Sequence, residues 1–219
     1  MPAIPGRHHA TIAAGLSASF LVLLALVASG NPTGLDRWLA GHIQALDWGG
    51  WHALPHMASE MGGGTLGFFV IPSAVAALLL ARRDWPAMVL LAAVFVLHYA
   101  LISPKLFIEA PRPSPLFGVH GAGGMESFPS GHVQWATSFY GLLAYLASRR
   151  FPRYWPAFFA AAALVVAATM LSRIELGRHW PIDTVGGLLV GLVSLELLVL
   201  LHARLRSTLP ARRRVAAAR

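Results

Sequence analysis

Apolar positions along this chain fall in long unbroken runs, without the alternation of a half-buried strand or the stripe of a soluble amphipathic helix. The runs cover residues 10–29, about 65–81, 85–103, 132–148, 155–171 and 184–203. Each is roughly 17–20 residues, enough for a helix rising 1.5 Å per residue to cross the hydrocarbon core. The pattern predicts an all-α, polytopic membrane protein with six transmembrane helices, a single membrane-embedded domain over residues 1–219. The first run has Arg7 before it and Ala28-Ser29-Gly30 after it, as a secretory leader would. Its apolar stretch exceeds the ~7–15 residues of a signal core, so it reads as a retained helix. Residues 31–64 differ in character: Trp38, Trp48 and Trp51 are mixed with His42, His52 and His56. That mixture predicts a short helix at the water–lipid boundary. No internal repeat or low-complexity tract is visible.

Composition and charge refine this picture. The chain is 56% hydrophobic and only 12% charged, outside the range of soluble domains. A net charge of +8 raises the question of nucleic acid, but no basic stripe interleaved with aromatics supports such a partner. The cations cluster between apolar runs instead, and with six spans they sort by side. Arg7, Arg82, Arg83, Arg149, Arg150, Arg153, Arg204, Arg206, Arg212, Arg213, Arg214 and Arg219 share the side of the termini; Arg37, Lys105, Arg112, Arg173 and Arg178 share the other. The positive-inside rule then predicts a multi-pass inner-membrane protein with cytoplasmic termini, a basic cytoplasmic tail over 204–219 and a periplasmic 31–64 segment. Cys is absent, which removes disulfides, thiolate metal sites and a Cys nucleophile.

Three polar stretches stand at the outer ends of the apolar runs. They are Lys105-(six residues)-Arg112-Pro113, Pro129-Ser130-Gly131-His132, and Ser172-Arg173-(five residues)-His179-(three residues)-Asp183. Each has an ordinary reading. Lone cations at span ends snorkel to headgroups, Pro-Ser-Gly is a helix-opening turn, and His179 with Asp183 is a pair four apart on one helix face. Their occurrence together on one side argues otherwise. Three cations, two imidazoles, a carboxylate and a Ser-Gly helix start form a set able to hold a phosphate and displace one of its oxygens.

In these stretches the chain resembles the type 2 phosphatidic acid phosphatases, or lipid phosphate phosphatases, whose signature K-x6-R-P, P-S-G-H and S-R-x5-H-x3-D is complete and in order. The resemblance covers about residues 10–205, with the active site at the outer ends of the helix bundle, and leaves the 31–64 segment and the basic tail outside the signature. It implies that His179 attacks phosphorus to give a phosphohistidine and that Asp183 orients and stabilises its ring. His132 would protonate the leaving oxygen and later activate water. Lys105, Arg112 and Arg173 would grip the equatorial oxygens, helped by the amides of Ser130 and Gly131 at a helix N-terminus. Neither a metal nor another cofactor is expected.

Other polar residues carry less. His52 and His56 are four apart but bracket Pro55 and lack the acidic partner of a zinc helix. His98 lies inside the third span, as a group facing a polar cavity or as a core hydrogen-bonding residue; both readings stay open. His120 and Glu126 flank a Gly-rich loop that either flexes over the substrate or simply connects two helices. Glu109 and Arg178 receive no role. The expected substrate is a lipid phosphate or diphosphate in the bilayer, foremost undecaprenyl diphosphate, then phosphatidylglycerophosphate, phosphatidate or lipid A phosphates. Two rival readings are a phosphotransferase passing the phosphate to a lipid acceptor, and a vanadium-haloperoxidase-like oxidoreductase. Nothing in the sequence reports the oligomeric state.

Overall fold

The computed structural model describes residues 6–30, 33–113 and 126–208. His120 and its glycine neighbours, and the tail beyond Thr208, lie outside the described residues. The helices are α1 (Gly6–Ala28), α2 (Gly34–Gln44), α3 (Ala53–Gly63), α4 (Ile71–Ala81), α5 (Trp85–Ile102), α6 (Gly131–Arg150), α7 (Trp155–Glu175) and α8 (Pro181–Thr208). No strand occurs among the described residues; Ala110 and Glu126 form one isolated parallel bridge. The expected all-α membrane architecture is thus the one observed.

Five helical stretches are long and apolar enough to span a bilayer: His8–Ala28, Gly49–Ala81, Trp85–Leu106, Pro152–Glu175 and Pro181–Ser207. The sixth expected span, α6, has the length, at 20 residues, but less apolar character. The reason is its place at the centre of the bundle, packed by α3, α5, α7 and α8. Every residue from Val133 to Phe139 is buried against protein, among them Gln134, Thr137 and Ser138. A helix shielded from lipid by its neighbours can carry polar side chains if each finds a partner. Trp135, Phe139 and Leu142 of α6 form the main core with Leu90, Leu91 and Val94 of α5 and Leu198 of α8.

Small residues set how closely α8 approaches α6. A Cβ added to Gly187 would stand 2.5 Å from Ser130 O, and one on Gly191 2.9 Å from Gln134 O. Only glycine permits that backbone approach. On its other side α8 receives α1, tied by His9 Nδ1 to Glu196 Oε2 at 2.6 Å.

The second span corrects the sequence reading. It begins at Gly49 rather than near residue 65, because α3 runs through a π turn at Leu66–Val70 into α4. A π turn shifts the hydrogen-bond ladder and leaves carbonyls seeking donors. Here Trp135 Nε1 donates to Gly67 O at 2.8 Å and Tyr140 Oη to Met61 O at 2.7 Å. Residues 31–64 are therefore not one boundary helix. Their first half is α2, with Leu35 and Trp38 exposed; their second half joins the bundle. The end of α5, the starts of α6 and α8 and the end of α7 lie on one face, where the three motifs meet.

Candidate active site

The site is organised by the turn between α7 and α8. Gly177, at φ +61°, ends α7 in the left-handed conformation that favours glycine. The chain then doubles back, and the amides of Arg178 and His179 both donate to Arg173 O, at 3.0 and 3.1 Å. This places His179 beside the last turn of α7 and just before α8. Both helix ends at this turn are capped from α2. Gln44 Nε2 donates to Ile174 O at 2.9 Å, and Ile182 N donates to Asp36 Oδ1 at 2.9 Å. Asp36 also completes a capping box with Thr33 at the start of its own helix. One buried carboxylate thus serves two helix N-termini, where the dipole favours negative charge.

His179 is almost fully buried, and its Nδ1 edge faces Ser127 and Asp183. Ser127 Oγ donates to Asp183 Oδ2 at 2.5 Å and stands 3.4 Å from His179 Nδ1. Since that hydroxyl's proton is given to the carboxylate, its lone pair accepts from Nδ1–H. Nε2 is left with a free lone pair for a nucleophilic role. Asp183 Oδ2 lies 3.6 Å from Nδ1, beyond hydrogen-bond range. The direct bond expected between them is replaced by a bridge through Ser127. Trp180 N holds the same carboxylate oxygen at 2.7 Å, while Asp183 Oδ1 is buried with no partner among the described residues. Burial, reinforced by Lys105, Arg173 and Arg112, pushes the His179 pKa well below the usual imidazole range. That shift favours the uncharged ring at neutral pH.

The cations are held by backbone carbonyls and a hydroxyl rather than by carboxylates. Lys105 Nζ donates to Glu126 O at 2.9 Å and Ser127 O at 3.3 Å. Arg112 donates from Nη1 to Arg178 O at 2.9 Å and from Nη2 to Glu126 O at 3.2 Å. Arg173 donates from Nη1 to Ser59 Oγ at 2.7 Å and keeps a buried Nε without a partner among the described residues. Neutral acceptors orient a guanidinium and leave its charge uncompensated, as binding an anion requires. Trp180 Nε1, donating to Pro111 O at 2.9 Å, fastens the Arg112 segment over the turn.

His132, in the first turn of α6, faces a cavity of about 270 Å³ that it shares with His98, Phe68, Phe69 and Trp135. The approach of α3 shapes this side: a Cβ on Gly63 would lie 3.0 Å from His132 Cα and Cγ. The Ser130–Gly131 turn differs from expectation. The Ser130 amide is spent on Asp183 O at 2.9 Å, so it is not a free phosphate donor. The Ser130 hydroxyl is buried and unpartnered among the described residues, which makes it the candidate donor in place of the amide.

The structure thus gathers Lys105, Arg112, Arg173, His179 and Asp183 at one bundle end, with Ser130, Gly131 and His132 entering α6 beside them. It adds Ser127, Ser59, Asp36 and Gln44, which the sequence reading did not single out. The nearest sequence signal was the Thr33–Asp36 capping spacing. Among the described residues no group of three or more His, Cys, Asp or Glu is arranged to hold a metal ion.

An all-α membrane bundle with this constellation defines a class. The chain belongs to the PAP2 superfamily, whose family model matches residues 85–207, over half its length. The chain is similar to the lipid A 1-phosphatase of Rhizobium etli, 38% identical over 71 residues, 32% of this chain and 27% of that protein. It is also similar to the decaprenylphosphoryl-5-phosphoribose phosphatase of Mycolicibacterium smegmatis, 35% identical over 108 residues, 48% of this chain and 53% of that protein. The chain therefore spans between a quarter and about half of the length of these relatives. In fold it matches the transmembrane PAP2-type phosphatidylglycerolphosphate phosphatase of Bacillus subtilis, with a TM-score of 0.74 at 22% identity over 91% of this chain and 98% of that one.

Proposed function

We propose that the protein removes a phosphate from a membrane lipid through a phosphohistidine on His179, without a metal. The observation that carries this reading is the buried imidazole of His179, held on its Nδ1 side by Ser127 and within the electrostatic reach of Lys105, Arg112 and Arg173. His179 Nε2 attacks phosphorus and the bond to the lipid oxygen breaks, with His132 supplying that oxygen's proton. The three cations follow the charge on the equatorial oxygens. Water then attacks phosphorus as His132 takes its proton, the P–N bond breaks, and inorganic phosphate leaves with the His179 lone pair restored. Ser127 and Asp183 hold the Nδ1–H tautomer and balance the positive charge on the phosphorylated ring.

The distribution of cations supports a periplasmic position for this site and an inner-membrane location. The named substrates of the similar proteins, lipid A, a decaprenyl-linked phosphoribose and phosphatidylglycerolphosphate, favour phosphates carried on a lipid's sugar or glycerol over undecaprenyl diphosphate, which the sequence alone put first. The test is phosphate release by the detergent-purified protein from a panel of lipid phosphates, before and after exhaustive chelation, with acid-quenched intermediate mapped by mass spectrometry. Chelation is expected to leave activity intact and label is expected on His179. Recovery only on adding Mg²⁺ or Zn²⁺, or label on another residue, overturns the scheme.

A further inference from the structure

A second imidazole borders the cavity beside His132, and neither the phosphate grip nor the nucleophile uses it. His98, buried in α5, bonds through Nδ1 to Gln134 Oε1. The direction of that bond follows from the next partners along. Ser194 Oγ gives its proton to Val190 O at 3.0 Å, so toward Gln134 Nε2, 3.5 Å away, it acts as acceptor. The Gln134 amide therefore points its oxygen at His98, and Nδ1 is the donor. An imidazole protonated at Nδ1 carries a bare lone pair on Nε2. That nitrogen has no partner among the described residues, yet it is not sealed in the core. It opens on the cavity. The ring passes close to the residue before His132, with Cε1 3.9 Å from where a Cβ on Gly131 would stand.

The cavity holds an acceptor on one wall, His132 on another, and the rings of Phe68, Phe69 and Trp135 between them. His132 meets the leaving oxygen, so the atoms beyond that oxygen enter this space. A second phosphate, as in a prenyl diphosphate, would find aromatic faces and a lone pair there, and among the described residues no Lys or Arg lines the cavity. A hydroxylated carbon skeleton suits both features: its O–H donates to Nε2 and its C–H surface lies on the rings.

Resting on the phosphatase reading above, we infer that His98 is a leaving-group binding residue. Its Nε2 accepts a hydrogen bond from a hydroxyl of the departing alcohol. The substrate class is then a lipid-borne phosphomonoester with a free hydroxyl close to the ester, on a sugar or a glycerol.

Two substrates differing by that hydroxyl test this: 1-acylglycerol 3-phosphate and 1-acylpropane-1,3-diol 3-phosphate, in the same detergent. Wild-type protein is expected to favour the first by about tenfold in kcat/KM, the scale of one hydrogen bond with a buried partner. In His98→Asn the amide nitrogen still reaches Gln134 Oε1 while Nε2 is gone, and the ratio is expected to fall toward one. His98→Phe combined with Gln134→Leu removes the acceptor without orphaning the amide, and serves as a second variant should the first fail to fold. Equal wild-type rates on the two substrates, or a preference that survives either variant, overturns the role of His98 and leaves the phosphatase reading standing. Absence of hydrolysis of both, and of every other lipid phosphate, overturns the two together.

Discussion

At the scale of single residues, the two site histidines differ in what surrounds them, and that difference can be measured. His179 is wrapped in protein with Nδ1 engaged, whereas His132 borders an open cavity. His179→Ala should abolish turnover of every substrate, since no phosphohistidine forms. His132→Ala should cost about 10²–10⁴-fold on phosphatidate, whose alkoxide needs a proton, and far less on an activated aryl phosphate. Initial rates on both substrates decide this, and equal losses would remove His132 from the leaving-group step. The uncharged state of His179 is testable by titration. Its pKa is lowered, so the free base outlasts an ordinary imidazole as pH falls. In ¹⁵N spectra assigned by difference with the alanine variant, its ring should remain neutral at pH 6.5; a half-protonated ring there would contradict the burial argument. The signature residues were legible in sequence because their chemistry is carried by residue type and spacing. Ser127 and Ser59 were not, because a serine acquires meaning here only from a partner far along the chain, Asp183 or Arg173.

At the scale of elements, hydropathy reports contact with lipid and says little about helices sheathed by other helices. It located α1, α5, α7 and α8 well and shortened the second span. Residues 53–64 hold Glu60, His56 and three glycines, and the small ones face protein: Gly62 abuts Thr169 and Gly63 abuts His132. Inward-facing glycines look like a loop in a one-dimensional reading. Such contacts have a cost when altered. Gly187→Ala would drive a methyl to within 2.5 Å of Ser130 O and push α8 from the turn that opens α6. Overpacking of this kind typically costs about 1–3 kcal/mol, and activity should drop at least tenfold because Asp183 and Ser130 separate. Gly15→Ala, which meets nothing within 4 Å, is the control. Thermal unfolding in detergent and phosphate release together check both; unchanged activity in Gly187→Ala would show that the α6–α8 contact tolerates displacement.

At the scale of the whole molecule, helix alternation leaves Arg82, Arg83, Arg149, Arg150 and Arg153 at the bundle end opposite the three motifs. A reporter fused after Arg219 should therefore behave as cytoplasmic, and one inserted between residues 114 and 125 as periplasmic. The reverse result would place the site on the inner face and exclude lipids presented only on the outer leaflet. The region matched by the family model starts at residue 85, yet Asp36, Gln44, Ser59 and Gly63 all reach the site from before it. The signature stretches were thus readable as chemistry, while the scaffold that aims them was hidden in the part of the chain with no motif.

The turn carrying His179 has a consequence for biosynthesis. It lies between the last two helices to leave the ribosome among those described, and its caps come from a segment made more than a hundred residues earlier. Until α8 is in place there is no carboxylate beside His179 and no Ile182 amide for Asp36 to accept from. On the proposed mechanism, a nascent chain halted after α7 holds Lys105, Arg112 and Arg173 but lacks His179 and Asp183, and should release no phosphate from a lipid. Under that mechanism catalytic competence would arrive in one step, with the closing helix, and half-made copies would stay silent.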